Sequence, residues 1–117
     1  MLRGILYEIL TVDAGGATIR LLPESPVYRG HFPGYPITPG VCLVQIALEL
    51  IEEMAGQAGH DDRTVRLVAA KNIKFTSPVI PAEGMELRFK LSGADRDWSV
   101  EVYDGEVLAA KMSLTVE

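Results

Sequence analysis

Residues 41–51, VCLVQIALELI, are apolar at every position except Gln45 and Glu49. A helix that is apolar on all sides cannot lie on a protein surface and has to be enclosed by other elements. In a chain of 117 residues this points to one domain, spanning 1–117, built around one central helix. Gln45 and Glu49 are four residues apart and so share one helix face. Polar groups on a buried face need a hydrogen-bonding partner, since unpaired burial is costly. The pair therefore marks a site or a subunit interface.

The enclosure reads as an antiparallel sheet. Residues 5–12 and 17–22 are strand-like on either side of the turn Ala14-Gly15-Gly16. Across 65–75 the odd positions Val65, Leu67, Ala69, Ile73 and Phe75 are apolar, with Lys71 breaking the pattern. A bulge explains the break; a functional lysine is the alternative. Leu87, Phe89 and Leu91 alternate with charged residues, and Trp98, Val100 and Val102 with polar ones. Asp104-Gly105 is a tight-hairpin signal. Leu108, Ala110, Met112, Leu114 and Val116 then share one face. Strands with one polar face around a single apolar helix predict an α+β domain, an antiparallel sheet wrapped around that helix.

The helix is entered through His31-Phe32-Pro33-Gly34-Tyr35-Pro36-Ile37-Thr38-Pro39-Gly40-Val41. Three prolines fix φ at their own positions and bias the residues before them toward extended backbone. Such a loop holds something in place, and His31 is the candidate, because an imidazole with a pKa of about 6.5 suits proton transfer near neutrality. Thr38 reads as the N-cap and Pro39 as the first helical residue. The Gly40 amide then sits in the first turn, unpaired within the helix and at the positive end of its dipole, where an oxyanion is stabilised. A loop that simply starts a helix is the competing reading.

Gly30-His31-Phe32-Pro33, Pro36 and Pro39-Gly40-Val41 resemble the signature region of the FabZ/FabA-like (3R)-hydroxyacyl-acyl-carrier-protein dehydratases, proteins of the hotdog fold. A second stretch, Asn72-Ile73-Lys74-Phe75-Thr76-Ser77-Pro78-Val79-Ile80-Pro81, is similar to the strand of that family that carries K/R-F-x-x-P-V-x-P. The family places a Glu or Asp four residues after the Val of P-G-V; this chain has Gln45. Four residues further on, where the family often has Gln, it has Glu49. A carboxamide has no acidic proton to donate. Glu49 is then a displaced acid, or Gln45 positions the hydroxyl or a water while His31 moves the proton, or dehydration has been lost.

The resemblance implies a dimer whose sheets join edge to edge, with His31 of one chain facing Gln45 and Glu49 of the other. It implies that Phe32, Pro39, Gly40 and Val41 bind substrate, that the acyl chain runs beside the helix, and that no cofactor is needed. The expected reaction is dehydration of an acyl-carrier-protein-linked or coenzyme A-linked (3R)-hydroxyacyl thioester to the trans-2-enoyl thioester. An acyl thioesterase is one alternative. A non-catalytic partner in a heterodimer with another hotdog protein is the other.

The net charge of −5 argues against nucleic acid as a partner. Since carrier proteins are themselves acidic, docking would need local cations; Arg3, Arg29, Arg63, Arg66, Lys71 and Lys74 are the candidates. No membrane span or signal peptide is read, and the lone Cys42 fits a reducing, cytoplasmic setting. Near a helix start Cys42 could be a nucleophile, but its apolar neighbours predict a buried, inert thiol. His60 lacks further ligands at metal spacing and reads as a surface residue, so no metal is expected.

Overall fold

A computed structural model describes residues 1–29, 37–57 and 65–117. The elements run β1 (Tyr7–Asp13), β2 (Gly16–Leu21), the single turn α1 (Pro26–Arg29), α2 (Gly40–Gln57), β3 (Leu67–Phe75), β4 (Glu86–Ala94), β5 (Asp97–Asp104) and β6 (Val107–Val116). The strands form one antiparallel sheet in the order β1-β2-β4-β5-β6-β3.

Period-two patterning decides which face is covered. Leu87, Phe89 and Leu91 of β4, Val100 and Val102 of β5, and Ala110, Met112 and Leu114 of β6 are buried in one cluster with Leu43, Ile46, Ala47, Leu50 and Ile51 of α2. The apolar helix and the apolar sheet face thus bury each other. Tight turns hold the register: Gly105, at φ 61°, lies between β5 and β6. Gly16 opens β2 at φ 144°, and a Cβ there would strike the Phe89 carbonyl.

The bulge expected at Lys71 is present, for the β3–β6 register shifts between Lys71 and Lys74. Asn72 adopts φ 53° there, and the extra residue keeps Lys71 opposite Ser113 and Lys74 opposite Lys111. The position of β3 was not foreseen. It is the last strand of the sheet, and Leu67, Val68, Ile73 and Phe75 are exposed along it. An apolar edge strand is a template for pairing with another chain.

The helix start also differs from expectation. Thr38 does not cap α2: it is buried, its N–H donates to the Val79 carbonyl at 2.8 Å, and its hydroxyl pairs with Tyr28 Oη at 2.8 Å. Pro39 takes the cap position, its carbonyl accepting from the N–H groups of Cys42 and Leu43, and helical residues begin at Gly40. The reason is tertiary. Thr38 is drawn into hydrogen bonds with the segment holding Val79 and with α1, which leaves its side chain unable to reach the first turn.

Candidate active site

The site is built where the helix starts. Gly40 lies directly beneath the Phe75 ring, which a Cβ at position 40 would overlap. The glycine is therefore required by packing against β3. Val41, next in line, is 74% exposed, so its side chain is available to another molecule. Cys42 is buried, and burial pushes its thiol pKa up, in keeping with an inert packing role. His31 and Phe32 lie outside the described residues, as do His60 and Arg63.

One turn into the helix comes Gln45, half-buried, and one turn further Glu49, only 7% exposed. The Gln45 Nε2 donates to Glu49 Oε2 at 2.9 Å. The same carboxylate accepts from the Leu2 N–H on Oε2 and from the Arg3 N–H and the Tyr7 hydroxyl on Oε1, each at 2.9 Å. Both oxygens thus take two donors, the capacity of an ionised carboxylate. Burial alone would raise the Glu49 pKa, but the hydrogen bonds from Leu2, Gln45, Arg3 and Tyr7 together outweigh it and hold the group below its ordinary value. Burial in the first place, and the neighbouring Glu49 charge, push the Tyr7 phenol far upward, so it stays a donor. Sequence reasoning found Gln45 and Glu49 but not Tyr7, Leu2 or Arg3. Two of those three contribute only backbone N–H groups, which carry no side-chain signal.

A depressed folded-state pKa means that ionised Glu49 stabilises the fold above its unfolded value of 4.5, and that this contribution is lost as pH falls through the lower folded value. Denaturation midpoints of the wild type are therefore expected to fall on acidification below about 4.5, and those of Glu49→Gln to fall less steeply over the same range. Parallel urea titrations of the two proteins check this.

Of the cations proposed for carrier docking, Arg3 bonds Glu53 at 3.1 Å and Arg66 pairs with Glu117. Lys71 and Lys74 are exposed on the polar face of β3. Among the described residues no group of His, Cys, Asp or Glu side chains is arranged to hold a metal, and no helix is long and apolar enough to cross a membrane.

Comparison with known proteins bears on the family and the fold. The ApeI-like family model, described as ApeI dehydratase, matches residues 12–113. The 3-hydroxyacyl-[acyl-carrier-protein] dehydratase FabZ of Rhizorhabdus wittichii is 37% identical over 118 residues, covering 92% of this chain and 73% of that protein. The FabZ of Geotalea uraniireducens is 33% identical over 97 residues, covering 78% and 67%. Among solved structures, the dehydratase heterocomplex ApeI:P from Xenorhabdus doucetiae superposes with a TM-score of 0.65 at 20% identity, covering 93% of each chain. The likeness in backbone establishes the hotdog fold, an α+β sheet wrapped around one helix.

Proposed function

The chain belongs to the FabZ/ApeI-like family of hotdog dehydratases, and from that premise we propose that it dehydrates (3R)-hydroxyacyl thioesters carried on an acyl carrier protein. The observation that carries this reading is the start of α2. A pantetheine thioester placed there would meet the amide of Gly40 at the positive end of the helix, the exposed Val41, and the Gln45 carboxamide one turn on.

In this mechanism His31 takes the proton from C2 while the Gly40 N–H stabilises the charge gathering on the thioester oxygen. The electron pair of the C2–H bond forms the double bond and the C3–O bond breaks. The departing hydroxyl receives its proton from the imidazolium of His31 and leaves as water. Gln45 cannot supply that proton; it hydrogen-bonds the C3 hydroxyl and fixes its direction. Glu49 is not available as the acid or as a base for hydrolysis, because its four acceptor positions are filled from within the chain. A thioesterase reading therefore cannot use Glu49 to activate water.

The exposed apolar edge of β3 supports a dimer formed through that strand, with each site shared between two chains. Mixing tests this. His31→Ala is expected to be nearly inactive as a homodimer, and Gln45→Ala to keep only a small but measurable turnover, roughly 10- to 100-fold below wild type. A mixed dimer rebuilds one of its two sites, so random exchange should restore about a quarter of wild-type turnover. Absence of any recovery from subunits shown to exchange would count against a shared site.

A second reading draws on Gln45 itself. In a heterodimer, a partner hotdog chain would supply the carboxylic acid that this chain lacks at the family's acid position. Turnover seen only after adding that partner would favour it.

A further inference from the structure

We infer that Glu49 is a positioning residue, and that the backbone of Leu2 and Arg3 forms part of the support of the site, holding the Gln45 amide in one orientation. The inference rests on the dehydratase reading for its catalytic meaning, but its structural content stands on the hydrogen bonds alone.

A carboxylate can only accept hydrogen bonds, so the end of the Gln45 amide that faces Glu49 must be the NH2 group. The carbonyl end is thereby turned away. Among the described residues no donor is paired with Gln45 Oε1, and no buried side-chain oxygen or nitrogen lacks a partner, so Oε1 is not sealed in the core. What position 45 offers a substrate is an acceptor in a fixed direction.

The carboxylate at 49 is itself dictated by the N-terminal segment. Two backbone N–H groups, from residues 46 and 47 positions upstream, converge on it together with the Tyr7 hydroxyl. A glutamine at 49 would turn its own NH2 toward at least one of these donors and could not satisfy them all. A glutamate at 45 would put a second carboxylate in contact with the first. The amide at 45 and the acid at 49 are therefore one coupled feature, set by the way the chain's first residues dock against α2.

The test is a double-mutant cycle read by kinetics and by NMR on the full chain. In the wild type, the Gln45 side-chain 15N–1H2 pair, assigned by its loss in Gln45→Ala, is expected to show one proton shifted downfield and slowed in exchange. Glu49→Gln should abolish that signature and lower kcat by roughly 10- to 100-fold, the scale of losing a positioned group. On the Gln45→Ala background the same change should lower kcat by less than about twofold, since its action runs through residue 45. Equal losses on both backgrounds, or Gln45 resonances indifferent to Glu49, would overturn the inference. If Glu49→Gln does not fold, Tyr7→Phe removes one donor from Oε1 and should still move the Gln45 resonances; unmoved resonances there overturn it equally. If the wild type dehydrates no 3-hydroxyacyl thioester, the dehydratase reading falls, and the amide resonances alone then decide the positioning role.

Discussion

Replacing His31 with alanine is expected to lower dehydration by roughly 100- to 10,000-fold, the contribution of a positioned acid–base group. The expectation follows from elimination as well as from the loop. Glu49 is saturated by four donors and held ionised. The Cys42 thiol is buried with its pKa raised. The Tyr28 hydroxyl is engaged with Thr38, and its pKa is raised by burial. Gln45 does not titrate. The proposed mechanism therefore assigns proton abstraction from C2 to His31. Formation of the conjugated enoyl thioester, followed by its ultraviolet absorbance, measures the loss. Thermal midpoints of the two proteins should agree within about 4 °C, corresponding to less than about 1 kcal/mol. A larger drop in stability would mean that the histidine holds the loop together and that the lost activity has another cause.

Phe89→Ala is expected to cost about 3–5 kcal/mol, the range for truncating a buried phenylalanine. Set against a total stability of about 5–15 kcal/mol for a natural domain, that leaves the chain close to unfolding. Phe89 is fully buried in β4, paired with Ala17 on one side and Val102 on the other, in the face that packs on α2. Ala17 is too small to fill the space that would open, and the neighbouring strands are fixed by their ladders. Urea denaturation with an unchanged m-value and a lower midpoint would report the loss. A change below about 1 kcal/mol would mean that the sheet and helix relax into the cavity, contrary to the interlocked core described above.

The same residues show why much of this fold could be read in advance. Leu87, Phe89 and Leu91 alternate with charged neighbours, and a period of two has one physical outcome when a single apolar helix is there to be covered. Asp104-Gly105 names a tight turn because few dipeptides tolerate that backbone. Lys71 announced its bulge by breaking the alternation. What escaped reading was tertiary. The alternating apolar positions of β3 look like core, yet patterning does not tell whether the cover comes from the same chain, and as the last strand of the sheet it leaves Phe75 54% exposed. Thr38 is a good capping residue by type, but Tyr28 and Val79 compete for it. A displaced acid was one of three readings open for Glu49, because its donors other than Gln45 lie 42 to 47 positions away in sequence, and two of them are backbone amides that any residue other than proline would provide.

The most direct measurement is the conversion of a (3R)-hydroxyacyl-carrier-protein by the wild-type chain, approached from both the hydroxyacyl and the enoyl side. The mechanism predicts that both mixtures reach the same ratio of enoyl to hydroxyacyl thioester, with the thioester bond intact. Release of free thiol without any enoyl product would contradict it, and would place this site among those that hydrolyse thioesters.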